Sequence, residues 1–264
     1  MAVDIHPSAI VDPSAQLADG VSVGAFSIIG PNVTIGARTK IGPHCMIDGH
    51  TTIGEDNVFY RYCSIGGMPQ DKKYAGEPTR LVIGDRNTVR EFVTFNTGTV
   101  QDVGVTTLGS DNWVMAYVHI AHDCQIGNQT ILANGVQMGG HVHIGDWAIV
   151  GGLAAIHQFC KIGAHAMVGG SSAVHKDVPP FSMSSGNPCV PVGINVEGLK
   201  RRGFTAAEIS SLREAYKIIY RRGLAVTQAI EQLVAMRDSQ PDSAKVVSVM
   251  VDFLEKSSRG IIRP

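Results

Sequence analysis

The stretch VHIAHDCQIGNQTILANGVQMGGHVHIGDWAIVGG, Val118–Gly152, carries an aliphatic residue at every sixth position: Ile120, Ile126, Leu132, Met138, Ile144 and Val150. The fourth residue after each is small or β-branched, as Cys124, Thr130, Val136 and Ala148 show. Neither the helical period nor the alternation of an ordinary strand yields six. Two inward positions per six residues mark a hexapeptide β-helix. Each hexad makes a short strand and a turn, and three hexads close one triangular coil. Coils then stack at about 4.8 Å, the hydrogen-bonding distance between strands.

The register extends backwards from this stretch through Val114 and Leu108, and again through Phe95, Val89 and Ile83. Beyond another break it runs from Ile65 down to Ile5, and forwards it continues to Val174. The breaks are two excursions. GGMPQDKKYAGEPTR begins at Gly66, is rich in charge, Gly and Pro, and reads as a long loop over 66–82. NTGTVQDVGVTT, 96–107, shifts the register by one. Long loops in a compact repeat are usually functional. The coil is expected to end after KDVPPF, giving a β prism over 1–190 and a helical domain over 191–264. There TAAE, Thr205–Glu208, has capping-box spacing. Ile209, Leu212, Tyr216, Ile219 and Tyr220 follow at helical period, and 223–240 and 241–258 give two further helical patterns. The fold class is therefore an all-β parallel β-helix, a triangular prism, followed by a small α-helical C-terminal domain.

Composition narrows the function. A net charge of −1 over 264 residues points to neither nucleic acid nor an anionic membrane. No run approaches the roughly 18–20 apolar residues of a membrane span, and the start has no basic, apolar leader pattern. The register places Cys45, Cys63, Cys124 and Cys160 at inward positions, where they act as small hydrophobes. Without CxxC spacing, the five cysteines suggest a reducing, cytoplasmic setting and no zinc site.

The histidines behave in the opposite way. None of the ten falls on an inward position. Residues 18 apart lie above one another on adjacent coils, so the columns read Ala121, Gly139, His157; His122, Gly140, Gln158; and Asp123, His141, Phe159. His122, Asp123, His141, His157 and Gln158 thus share one corner, within about 10 Å. Gly139 and Gly140 leave room for a ligand near the backbone. An imidazole beside a carboxylate is a general-base arrangement, and a backbone N–H at Gly140 would stabilise an oxyanion. No serine or cysteine at this corner serves as nucleophile, which suits direct acyl transfer to a substrate hydroxyl or amine. An outward-facing site needs a second wall, expected from a neighbouring copy around a threefold axis. On the first long helix Arg213, Lys217 and Arg221 make one face basic, fit to dock an acidic protein.

The chain resembles the UDP-N-acetylglucosamine O-acyltransferases, which open lipid A biosynthesis. The resemblance rests on QDKKYAGEPTR at 70–80, HIAHDC at 119–124, GGHVHIGDWAIVGG at 139–152, HQFCKIGAHAMVGG at 157–170 and NVEGLKRRGF at 195–204. It implies a left-handed parallel β-helix, a homotrimer, and transfer of an (R)-3-hydroxyacyl group from acyl carrier protein to the glucosamine 3-hydroxyl of UDP-N-acetylglucosamine. The acyl group arrives on the carrier's phosphopantetheine, and no other cofactor or metal is implied. The resemblance makes His122 the general base, Asp123 its partner and Gly140 the oxyanion N–H. It puts His119, His141, His157 and Gln158 around the sugar nucleotide, with Gln70, Asp71 and Lys73 on a substrate loop. Asn195, Glu197, Arg201 and Arg202 fall at the nucleotide and phosphopantetheine end. Gly170 sets acyl-chain length. Asn96 and Thr97 stand where members often carry His-Arg, and Pro188 where some carry His. Two rival activities share the coil. A related N-acyltransferase of UDP-3-acyl-glucosamine would carry a large domain before it. A γ-type carbonic anhydrase would hold zinc between His119, His122 and His141 of adjacent copies, but would leave the 70–80 and 195–204 motifs without a role. A non-enzymatic scaffold would not need the clustered corner.

Overall fold

The structure is a computed structural model that describes residues 2–264. Short strands, most of two residues, line up into three sheets of eleven, nine and eight strands. Successive strands visit the three sheets in turn, which makes them the faces of a prism. The offset is 18 residues wherever no loop intervenes: His119 pairs with Gln137 and Gln137 with Ala155, all in parallel. The coil is a left-handed parallel β-helix. From Gly20 onwards most turns are made with a residue in the left-handed φ region, among them Asp123 (φ 58°), His141 (φ 61°) and Phe159 (φ 67°). Asp and His tolerate that region better than most residues with a Cβ.

The inward positions form one continuous core, with Ile29, Ile35, Ile47, Ile65, Ile120 and Leu132 fully buried. Each contributes about 1.5–3 kcal/mol. Cys45, Cys63, Cys124 and Cys160 are free and buried, as their register requires. Cys189 is buried too. Ile5 is exposed and Val11 and Leu17 only partly covered, although they keep the period, because the first coil has no coil beneath it. Four inward positions carry polar groups linked by hydrogen bonds, although the Asn112 Nδ2 is left without a partner. Asn57 Oδ1 accepts from the Asn87 amide N–H and side chain, Asn87 Oδ1 from the Asn112 N–H, and Asn112 Oδ1 from the Thr130 N–H and hydroxyl. Stacking also decorates the edges. Phe26, His44, Tyr62, Phe92 and Tyr117 form a column with ring centroids 4.9–5.2 Å apart, the coil spacing itself.

Both excursions are shorter than expected. Arg80–Ile83 is a strand paired on both sides, and Gly66 and Gly67 finish another, so the first loop proper covers 68–79. The second covers 97–104, between strands Thr94–Asn96 and Val105–Leu108. The expected boundary at 190 falls at the start of a further strand, Val190–Ile194, which runs antiparallel against Ser182–Ser185 and closes the sheet. A short helix missed in the sequence, α1 (Val196–Arg201), follows. Then come α2 (Ala206–Arg221), α3 (Val226–Ser239) and α4 (Ala244–Glu255). The capping box at the start of α2 forms: the Thr205 hydroxyl accepts from the Glu208 N–H, and Glu208 accepts from the Thr205 N–H. No helix among the described residues is long and apolar enough to cross a membrane.

Candidate active site

The corner begins where strand His119–Ile120 leaves the nine-stranded face. Asp123 is fully buried, and its Oδ2 lies 3.0 Å from His122 Nδ1. A carboxylate can only accept, so Nδ1 carries the proton and Nε2 of the neutral ring is left as an acceptor. Asp123 is itself held from the second excursion. The Thr99 N–H donates to both its oxygens at 3.0 Å, and the Thr99 hydroxyl donates to Oδ2 at 2.6 Å. Burial works to raise the Asp123 carboxyl, but the hydrogen bonds from His122 and Thr99 outweigh it and hold the group below its ordinary value. The carboxylate therefore stays ionised and keeps its hold on the imidazole.

Gly140 sits one coil above His122. A Cβ there would come within 2.6 Å of His122 Nε2, so the glycine is what lets the ring lie against the backbone. The Gly140 N–H has no hydrogen-bond partner among the described residues. A free acceptor and a free backbone donor thus lie side by side, which is the pair that acyl transfer needs.

His141 is clamped on three sides. Its ring stacks on Phe159 at 4.3 Å and 7°, meets the edge of His122 at 4.9 Å and 88°, and places Nδ1 2.6 Å from Asp102 Oδ2. These groups border a cleft of about 800 Å³. Gln70, Asp71 and Lys73 enter it from the first loop, with Lys72 beside them, and Gln101 and Asp102 from the second. Gln158 and Phe159 complete the wall. His122, Asp123 and His141 offer atoms within 4.8 Å of one another, close enough for a cation. Both Asp123 oxygens already accept from Thr99, and Oδ2 from His122 as well, so a cation drawing on all three residues would have to displace those bonds.

Other expected residues lie elsewhere. His119 shares a 2.7 Å hydrogen bond with Thr94 on the flat face, and burial, then His122, pushes its pKa down. His157 turns its Nδ1 to the Gln158 carbonyl at 3.0 Å, and neither His119 nor His157 lines the cleft. Asn195 is buried and structural: it caps α1 through Gly198 and donates to the His165 carbonyl. Glu197 is exposed and paired with Lys200, and Arg201 is exposed. Arg202 lies over the Trp147 ring at 5.1 Å and beside His165, lining a second cavity of about 320 Å³ with Phe181, Phe204 and Lys245. Burial, then the Arg202 charge, pushes His165 down to about 4, so the ring is neutral near pH 7. Trp147 and His165 belong to the edge between the eight- and eleven-stranded faces, and His122 to the edge between the nine- and eight-stranded faces. Within one chain the two sets do not meet. Gly170 lies on the third edge and is exposed, and a Cβ there would meet only Gly152, its carbonyl oxygen at 3.2 Å. Arg213, Lys217 and Arg221 are exposed along α2, with Glu214 paired to Lys217 and Arg222.

Sequence reasoning missed Thr99, Gln101, Asp102 and Phe159. Phe159 stands in the column already written for Asp123 and His141, and its register could have found it. The other three lie in an excursion without periodic constraint.

Known proteins resemble this chain along its whole length. A family model described as UDP N-acetylglucosamine O-acyltransferase, domain 2, matches residues 177–262, and a bacterial transferase hexapeptide model matches 106–140. The acyl-[acyl-carrier-protein]–UDP-N-acetylglucosamine O-acyltransferase of Herminiimonas arsenicoxydans is 57% identical, covering 98% of this chain and 99% of its own. The LpxA structure from Acinetobacter baumannii superposes with a TM-score of 0.95 at 48% identity, over 98% of this chain and 99% of that one. The UDP-N-acetylglucosamine acyltransferase of Francisella novicida gives 0.95 at 43% identity, over 98% and 94%. A hexapeptide coil, a helical C-terminal domain and full-length similarity together mean that the chain belongs to the UDP-N-acetylglucosamine O-acyltransferase family.

Proposed function

We propose that the protein transfers an (R)-3-hydroxyacyl group from acyl carrier protein to the glucosamine 3-hydroxyl of UDP-N-acetylglucosamine, the first step of lipid A biosynthesis. The observation that carries this reading is the His122 imidazole, with Nδ1 on Asp123 and its ring against the Gly140 backbone, whose N–H has no partner among the described residues. His122 Nε2 takes the proton of the 3-hydroxyl as its oxygen attacks the thioester carbonyl. The tetrahedral oxyanion accepts a hydrogen bond from Gly140 N–H. The C–S bond then breaks, and His122 returns the proton to the departing phosphopantetheine thiolate. Asp123 stabilises the imidazolium between the two steps. Gln70, Asp71, Lys73, His141 and Gln158, which line the cleft, orient the sugar nucleotide, and His119 and His157 flank the corner outside it. The acyl group comes covalently carried, so the chemistry calls for no further cofactor. Incubating the purified protein with UDP-N-acetylglucosamine and a 3-hydroxyacyl carrier protein should yield the 3-O-acyl product by mass spectrometry. No product with any chain length would overturn the reading.

The active unit is a homotrimer. Arg202 sits at a different edge from His122, with Glu197 and Arg201 on the adjoining helix α1 that Asn195 caps, so a neighbouring copy presents these three to one substrate. The guanidinium groups of Arg201 and Arg202 suit phosphate oxygens. Five free, buried cysteines fit a reducing cytoplasm. The exposed cations of α2 dock the acidic carrier. Reversing Arg213, Lys217 and Arg221 to Glu should raise KM for the carrier about 10-fold at low ionic strength, with a smaller effect in salt. An unchanged KM at low salt would return these residues to a solvated face.

Gly170 closes the acyl groove against the neighbouring copy and admits a long chain of the 3-hydroxymyristoyl kind. Each buried methylene gains about 0.8 kcal/mol, so an open groove rewards length. Gly170→Met should move the optimum to a chain several carbons shorter, because overpacking costs about 1–3 kcal/mol. Relative kcat/KM across a ladder of hydroxyacyl carriers reads this directly. The same optimum in both forms would remove Gly170 from the groove.

A further inference from the structure

The second excursion supports both imidazoles of the cleft. Thr99 holds Asp123, which holds His122, while three residues on Asp102 holds His141 directly. At 2.6 Å the contact between Asp102 and His141 is as short as charge-assisted hydrogen bonds become. The carboxylate can only accept, so His141 carries its proton on Nδ1. Nε2 then has no protein partner among the described residues, and it is not a buried orphan. It is an acceptor open to the cleft that both residues line.

Asp102 also settles a competition. His141 Nδ1 lies 3.9 Å from Asp123 Oδ2, too far for a hydrogen bond but near enough that a small ring movement would make one. That oxygen already accepts from His122 and Thr99. Asp102 draws the His141 proton the other way. Phe159 and His122 fix the ring plane but leave its rotation free to choose a partner, and Asp102 makes that choice.

We propose that Asp102 is a positioning residue, which fixes the tautomer and orientation of His141 so that Nε2 receives a hydroxyl or N–H of the sugar nucleotide. This gives the cleft two histidine–carboxylate pairs with different tasks: His122–Asp123 for proton transfer and His141–Asp102 for holding the acceptor substrate. The inference rests on the function proposed above.

Three variants test it. Asp102→Ala should raise KM for UDP-N-acetylglucosamine about 10-fold, the loss of one oriented hydrogen bond, while kcat changes by less than about threefold. Asp102→Asn should restore much of the KM, because its side-chain oxygen accepts the same proton. In a His141→Ala background, Asp102→Ala should add nothing. Nitrogen NMR above the histidine titration range, with His141→Ala for assignment, should show the Nδ1–H tautomer of His141 in the parent and a shift towards Nε2–H in Asp102→Ala. An unchanged tautomer, or an equal loss in the His141→Ala background, would overturn the proposal. A parent that transfers no acyl group would instead sink the proposed function, while the tautomer measurement would still decide what Asp102 does.

Discussion

His122→Ala should lower kcat for acyl transfer by about 10²–10⁴-fold, the usual value of a general base, while leaving the fold intact. The glucosamine hydroxyl is a weak nucleophile, and of the two imidazoles in the cleft it is that of His122 that lies against the Gly140 backbone. His141, 4.9 Å away, also has an open Nε2, but in the reading above that atom holds the sugar nucleotide. Asp123 is fully buried behind His122 and cannot reach a substrate itself. The His122 side chain lies outside the prism core, so its removal opens no cavity among the stacked aliphatic rungs. The variant should therefore melt and sediment as the parent does. KM for both substrates should move much less than kcat, since the lost interaction is made chiefly in the transition state. A variant that retains near-parent kcat would show that another group carries the proton.

The parts of this site that were legible in the sequence are the parts the period controls. A repeat of six with a coil of 18 puts every residue on a known face and level. From that alone Gly140 falls above His122, and His141 above Asp123. The same arithmetic buries four cysteines and turns the histidines outwards. It has no purchase where the period lapses. Thr99 and Asp102 come from a segment that adds one hexad and one residue, so Thr88 pairs with Trp113 twenty-five residues on. Nothing in that segment's spacing says which of its side chains turns inwards. Ile5 shows the converse limit. It keeps the period but stays exposed, because burial needs a coil on both sides and the repeat cannot announce its own end. The hand of the coil was equally closed to periodicity, since a left-handed and a right-handed prism would carry the same spacing. It came from the resemblance. Asn195 illustrates a third gap. Its place in a motif marked it for substrate, while its atoms cap α1 and hold the His165 carbonyl.

Gly140→Ala should cost about 10²-fold in kcat, by way of His122 rather than through the oxyanion N–H. Alanine leaves that N–H in place, and Gly140 lies outside the positive-φ region, so the backbone can accept the change. What it cannot accept is the added methyl, which would fall 2.6 Å from His122 Nε2. Carbon and nitrogen need roughly another ångström of separation. The coil above is fixed by strand pairing on both sides, with Met138 on Ile120 and on Ile156, so the backbone does not yield. The imidazole is the free end of a side chain and moves instead. Any such movement stretches the 3.0 Å bond to Asp123 or carries Nε2 off the line to the hydroxyl. A misplacement of about 1 Å at a reacting group is enough for a 10²-fold loss. Steady-state kinetics should show the fall in kcat without a loss of thermal stability. Combining Gly140→Ala with His122→Ala should be no worse than His122→Ala alone, because the methyl acts only on a ring that is no longer there. If the two losses multiply, the methyl is blocking the substrate or its oxyanion directly. If Gly140→Ala stays within about threefold of the parent, the close approach of His122 to this backbone is not what places the base.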